Sequence, residues 1–481
     1  MKKKIIGIII NCFVFSLCYA QIAGALKVSE NHHYLVDEKN HPFFWLADTG
    51  WEMLNKLDRN DIMWYMNNRK AKGFNVIQTV LLSEFSKGAT TTNYYKDSIF
   101  IESNPERPAT TKGSNPDNEK EYDFWDHVDY AVKTAESMGI YLAILPTWGE
   151  WVTPREGKAL FNANEQAYSY GWFLGDRYKE FKNIVWILGG DRFPDERETG
   201  LQLWRSMAEG IADGTNGVKQ LDGKADYLST LMTFHCFASS SKWFQNDEWL
   251  DFNMWGSYHA EINNTKSIEQ TIADWNLEKP KPTINGEPCY ERAKINYAIP
   301  DNGFFTSTDV RQSAYWSVFS GAAGFTYGAN YVWNFAGSLD SSSKLDSWRE
   351  ALDFPGATQV GYLKKLFEKY LTEDLIPASN LIISGQGECG NYACAIRGKS
   401  HMLIYIPTGN KFALQLGEIS GNRIKAAWFD PRTGSTSVIG EFPNAGTVSF
   451  DIPEMSKELT WLRSGRGCDW VLVVEDASAS N

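Results

Sequence analysis

The sequence predicts an α/β fold, a (β/α)8 TIM barrel followed by a small all-β sandwich. Three observations carry this. Between about residues 40 and 335, eight short apolar runs bounded by turn or polar residues alternate with longer helical periods. No Gly-x-Gly-x-x-Gly follows the first run, which argues against a dinucleotide-binding sheet. After about Leu371 the helical periods give way to short strands with turns about every ten residues.

The barrel strands are expected at 42–47, 74–82, 140–146, 183–190, 227–233, 252–255, 282–285 and 324–328. Each is short and mostly apolar, as a parallel strand covered on both faces should be. Helical periods fall at 58–72, 124–138, 164–181, 198–212, 267–277, 309–320 and 358–370, with Asp58 placed to cap the first and Gly139 to stop the second. The polar stretch 83–122 is long for a loop and follows the second strand, so it is expected over the C-terminal face, where barrels place their active sites. The sandwich strands are read at 381–383, 392–396, 402–406, 411–416, 424–429, 446–452 and 470–474.

Ahead of the barrel, Lys2, Lys3 and Lys4 precede an apolar run ending at Cys18-Tyr19-Ala20, the pattern of a secretory signal peptide cut before Gln21. The run is too short to span a bilayer comfortably. The 481 residues therefore divide into a leader at 1–20, a catalytic barrel at 21–372 and a sandwich at 373–481, with the mature chain periplasmic or secreted.

Loss of the three leader lysines takes the formal net charge from −12 to −15. That balance excludes a phosphate-neutralising nucleic-acid binder and a polybasic membrane surface. No later stretch is apolar enough for membrane insertion. The chain is read as a monomer with a polysaccharide or oligosaccharide partner. Of the seven cysteines, Cys12 and Cys18 leave with the leader, and the remaining five form neither a disulfide framework nor a zinc spacing. Cys389 and Cys394 could bridge a hairpin. Aromatic residues make up 14% of the chain, with 19 Trp, more than core packing alone calls for. Indoles offer flat apolar faces with one polar handle, suited to stacking on sugars.

Polar residues just past the strand ends carry the chemistry. Strand four ends Leu188-Gly189-Gly190-Asp191, and strand seven ends Asn285-Gly286-Glu287-Pro288. Carboxylates on strands four and seven face each other across the barrel, as glycoside hydrolysis requires of its acid and its nucleophile or base. Either one could instead cap a loop or join an ion pair. Asp48, Trp51, Trp148, Glu150, His235, Trp255, Tyr258, His259 and Trp333 are placed near the same face as substrate-binding residues. Glu84, Glu150 or Glu261 could replace one member of the pair. No metal-binding motif, nucleophile elbow or cofactor motif is present, so neither metal nor cofactor is expected.

Phe44-Trp45-Leu46-Ala47-Asp48-Thr49 with Trp51, Trp186 to Asp191, and Asn285 to Glu291 together resemble the apiosidase-like barrel of glycoside hydrolase family 140. Ala427 to Gly434 resembles the collagen-binding-type sandwich that accompanies that barrel. The resemblance implies a bacterial enzyme of plant cell-wall breakdown that releases apiose-linked side chains from the pectin rhamnogalacturonan-II. It further implies Asp191 as general acid/base and Glu287 as nucleophile. A glycosidase for another plant or host glycan, and a non-catalytic carbohydrate- or matrix-binding protein, are the alternatives. An acidic pectin substrate would need a locally basic cleft, for which Arg155, Arg192 and Arg292 are the candidates.

Overall fold

The computed structural model describes residues 24–83, 92–235, 237–262, 264–296, 303–337, 348–409, 411–453 and 466–478. The expected leader, Glu84 and Cys236 lie outside them.

Eight parallel strands form one sheet: β1 (Trp45–Thr49), β2 (Val76–Leu82), β3 (Tyr141–Thr147), β4 (Ile184–Gly189), β5 (Met232–His235), β6 (Asn253–Gly256), β7 (Thr283–Glu287) and β8 (Gly324–Tyr327). Its hydrogen-bonded order is β5-β4-β3-β2-β1-β8-β7-β6, a barrel with one seam between β5 and β6. Side chains close that seam. The Met232 N–H donates to the Asp251 carboxylate at 2.7 Å, and Thr233 Oγ1 donates to the Phe252 carbonyl at 2.6 Å.

Helices follow the strands in turn: α1 (Arg59–Ala71), α2 (Phe124–Met138), α3 (Asn164–Tyr178), α4 (Gly200–Asn216), the short α5 (Ser241–Phe244), α6 (Lys266–Trp275), α7 (Ser307–Phe319) and α8 (Pro355–Tyr370). Asp58 caps α1 by accepting from the Asp61 N–H, and Gly139 ends α2 in the left-handed region at φ 71°.

Two strands depart from the sequence reading. The run 42–47 is split: Pro42–Phe43 closes a small antiparallel sheet at the N-terminal side, and only from Trp45 does the chain enter the barrel. In the fifth run, Tyr227–Ser229 is a single 3-10 turn, and β5 extends instead to His235.

The C-terminal part stacks two antiparallel sheets. The larger runs β9-β11-β12-β17-β14-β15, comprising β9 (Ile376–Pro377), β11 (Cys394–Arg397), β12 (His401–Ile406), β14 (Arg423–Phe429), β15 (Thr436–Pro443) and β17 (Trp470–Asp476). The smaller runs β10-β13-β16, from β10 (Ile382–Ser384), β13 (Phe412–Leu416) and β16 (Gly446–Phe450). The sequence reading missed β15, whose side chains are mostly exposed and whose apolar residues, Val438, Ile439 and Phe442, are broken by Gly440 and Glu441.

The larger sheet is apolar on both faces. Met402, Ile404, Leu472 and Val474 point into the sandwich core, while Leu403, Tyr405, Val471 and Val473 belong to the barrel's core. The barrel side of this contact is α7. Tyr315 stacks on Tyr405 at 4.7 Å between centroids, Trp316 Nε1 donates to the Tyr392 carbonyl, and the Arg311 guanidinium grips Asp469 with two bonds of 2.9 and 2.7 Å. Cys389 and Cys394 are both free thiols. Cys394 is buried with its Sγ directed at the Tyr315 carbonyl, whereas Cys389 is exposed on a turn, so the possible bridge is not formed.

Candidate active site

The two carboxylates meet at the C-terminal mouth, and the local backbone explains how. After β4 the chain turns through Gly189 and Gly190 at φ 99° and 145°, conformations that favour glycine. A Cβ at Gly189 would lie 2.3 Å from the His235 carbonyl, and one at Gly190 would lie 2.4 Å from the Gly149 nitrogen. Only glycine lets this turn close against its neighbours and deliver Asp191 to the mouth. On β7, Asn285 faces the helix layer, where its amide reaches Ser267 on α6 and Ser317 on α7 and also donates to Ser257 just after β6. Strict alternation would send Glu287 the same way. A register shift between Asn285 and Glu287 turns the carboxylate onto the cavity instead.

The cavity is about 360 Å³ and is lined by Trp51, Trp148, Asp191, His259, Glu287, Tyr290, Ala293, Lys294, Asn330 and Trp333. Asp191 and Glu287 each present an oxygen within 4.8 Å of the other and of a His235 ring nitrogen. Tyr258 donates to Asp191 at 3.2 Å. Tyr290 donates its hydroxyl to Glu287 Oε1 at 2.6 Å and accepts from Trp51 Nε1 at 2.8 Å. Beneath Glu287, His235 Nε2 stands 3.1 Å from Oε2 in an ion pair, with the ring packed edge-on against Trp51.

Burial of the Asp191 carboxyl, reinforced by repulsion from Glu287, pushes its pKa up to about 7 against the pull of His235, Tyr258 and Arg155. Burial opposes a charged His235, but the bond and attraction to Glu287, with Asp191 adding, outweigh it and raise its pKa. His259 goes the other way. Burial lowers it to about 4, only partly offset by Glu287, so its ring is neutral. Its Nδ1 accepts the Tyr290 N–H at 3.1 Å, which puts the ring proton on Nε2, 3.9 Å from Glu287 Oε1.

Among the described residues, Asp191, His235 and Glu287 are the grouping that could hold a cation. An ion there would have to displace the His235–Glu287 pair.

Of the residues singled out in the sequence, the structure brings Asp191, Glu287, Trp51, Trp148, His235, Tyr258, His259 and Trp333 together at or directly behind the cavity. Trp51 and Trp148 are each only 1% exposed and form its floor. Three residues are corrected. Asp48 does not face the cavity: it lies within β1 on the helix side, where Tyr65 donates to it at 2.5 Å and Arg69 approaches at 3.4 Å. Trp255 is fully buried, its Nε1 donating to Thr283. Glu150 sits outside the lining, accepting from the Arg155 N–H and paired with Arg192 at 3.4 Å.

Glu261 is exposed away from the lining. None of the described residues 92–122 lines the cavity either. That segment packs over α1 and α2, with Ile99 accepting from Trp125 and Tyr95 accepting from the Arg59 N–H. The sequence reading missed Tyr290, Lys294 and Asn330. Tyr290 lies three residues beyond Glu287, a spacing that could have drawn attention to it.

The model "Apiosidase-like, catalytic domain" matches residues 29–373, and "Putative collagen-binding domain of a collagenase" matches 376–475. A solved glycoside hydrolase is 31% identical, covering 95% of this chain and 98% of its own, with a TM-score of 0.81. A glycoside hydrolase family 5 structure from Bacteroides vulgatus ATCC 8482 is 32% identical over 95% of this chain and 94% of its own, with a TM-score of 0.80. No curated protein matches the chain.

Proposed function

The chain belongs to the apiosidase-like glycoside hydrolases, and from that premise we propose that it releases apiose-linked side chains from the pectin rhamnogalacturonan-II, the activity of family 140. The proposed mechanism is retaining. Asp191, protonated near neutral pH, gives its proton to the glycosidic oxygen while Glu287 attacks the anomeric carbon. The bond to the leaving group breaks, a glycosyl–Glu287 ester forms and Asp191 is left ionised. Water then attacks the same carbon as Asp191 takes its proton. The ester bond breaks, Glu287 leaves as carboxylate and the acid is restored.

The observation that carries this reading is the spacing of the carboxylates, with oxygens within 4.8 Å. Retaining enzymes hold the two groups ~5–5.5 Å apart, whereas inverting ones need ~6.5–9.5 Å to admit water between them. Tyr290 and His235 support the nucleophile assignment, because Tyr290 donates directly to Glu287 and His235 pairs with it at 3.1 Å, whereas the charge of His235 reaches Asp191 only through space. Trp51, Trp148 and Trp333 supply apolar faces for the sugar.

The test is incubation of the purified protein with defined rhamnogalacturonan-II fragments, with products identified and the first-formed anomer read by NMR. Release of apiose-terminated product with retained configuration is expected. Glu287→Gln should abolish turnover with the fold intact. Turnover by that variant would reject the nucleophile, and no product from any apiosylated fragment would reject the substrate.

Export to the periplasm or beyond is proposed from the leader pattern. It is checked by the N-terminus of the mature protein, expected at Gln21.

A further inference from the structure

Within a protein of net charge −12, the cavity presents the Glu287 carboxylate, with Asp191 beside it losing its proton as pH rises through about 7, so an anionic substrate meets repulsion on entry. Some cation must offset it. Of the three arginines the sequence offers, Arg192 is engaged by Glu150 and Glu196, Arg292 lies over the Phe304 ring, and Arg155 is exposed outside the cavity lining, where its charge reaches Asp191 only through space. His235 is held by Glu287, and His259 is neutral.

Lys294 is different. It lines the cavity, its side chain is exposed, and its ammonium has no acceptor among the described residues. Its backbone is not loose, because the segment is tied on both sides of it. The Asn330 N–H donates to the Glu291 carbonyl, Lys294 bridges to Phe304, and the Asn296 N–H donates to the His259 carbonyl at 2.7 Å. A cation with nothing to neutralise is thus held by a pinned backbone beside the carboxylate pair.

We infer that Lys294 is a specificity-determining residue that binds a sugar carboxylate, so the cavity takes a uronic-acid-containing glycan in preference to its neutral counterpart. The inference rests on the pectin reading for its relevance, but it has a separate readout. Carboxylate recognition by an ammonium is charge-assisted and adds to any stacking the indoles provide.

The experiment measures calorimetric binding to the Glu287→Gln protein of two probes, trigalacturonate and the same trisaccharide with its carboxyl groups reduced to alcohols. The acidic probe should bind at least about tenfold more tightly, as expected for a hydrogen bond to a charged group. Adding Lys294→Met should bring the ratio of the two affinities close to one, while Lys294→Arg should preserve most of it. Thermal melts confirm that each variant is folded.

No preference for the acidic probe, no binding of either probe, or a preference that survives Lys294→Met would each overturn the inference. Failure of the apiosidase reading shows separately, as absence of apiose release from an apiosyl galacturonide by the unsubstituted protein.

Discussion

Replacing Tyr290 by Phe isolates the contribution of one hydroxyl to the nucleophile. That oxygen donates to Glu287 Oε1 at 2.6 Å and accepts from Trp51 Nε1 at 2.8 Å. The substitution keeps the ring that lines the cavity and removes both bonds. Glu287 then keeps His235 on its other oxygen but is free to rotate away from the anomeric carbon. A hydrogen bond to a charged group is worth ~1.5–3 kcal/mol, and each ~1.4 kcal/mol at the transition state is tenfold in rate. The expected fall in kcat is therefore roughly 10- to 150-fold. Steady-state kcat and KM on an apiosylated substrate measure it, with a melting curve to separate a rate effect from loss of fold. A folded Tyr290→Phe protein with kcat within twofold of the parent would refute the claim that this hydroxyl orients the nucleophile.

Four further outcomes follow from the geometry. With Asp191 at about 7, activity should be lost on the alkaline side as pH rises through that value, and this limb should be missing from the residual activity of Asp191→Asn. The same raised pKa means that the folded protein holds this proton more tightly than the unfolded chain, where the group titrates near 3.8. Its stabilising effect is full below that value and is lost as pH rises through about 7, so Asp191→Asn should raise the melting temperature more at pH 8 than at pH 5. Gly190→Ala, forced to φ 145° with its Cβ 2.4 Å from the Gly149 nitrogen, should cost at least ~1–3 kcal/mol and displace Asp191, seen as a lower melting temperature with lost activity. Arg311→Met leaves Asp469 charged and buried, and should destabilise by about 3–5 kcal/mol in denaturant titrations, with much of that recovered in Arg311→Met/Asp469→Leu.

The barrel was legible because its strands are covered on both faces and so read as unbroken apolar runs. The Gly189-Gly190-Asp191 turn and the strand-ending Glu287-Pro288 were legible because a backbone requirement sat next to a reactive group. What the sequence hid was facing. Asp48 and Trp51 are three residues apart in one motif, yet Trp51 floors the cavity while Asp48 is turned to Arg69 on α1. Nothing in residue type distinguishes a carboxylate at the mouth from one paired behind the sheet. Trp255 was misplaced for the same reason, and the excess of indoles proved to serve packing as well as the cavity. Tyr290 escaped notice because its role depends on Glu287 and Trp51 arriving from different strands. The break between Phe43 and Trp45 was invisible because both pieces are apolar.

Helix α7 lies between the barrel and the larger sandwich sheet, and every residue from Asp309 to Phe319 is buried. In a ribosome's order of synthesis the barrel is complete before the sandwich exists. Until residues 392–469 are made, Trp316, Tyr315 and Arg311 lack Tyr392, Tyr405 and Asp469, their partners on the sandwich side. The nascent barrel therefore presents an adhesive apolar strip at a stage when most of its own core could already have formed. A barrel expressed alone would carry that strip permanently, so its solubility would depend on recoding the outer face of this one helix.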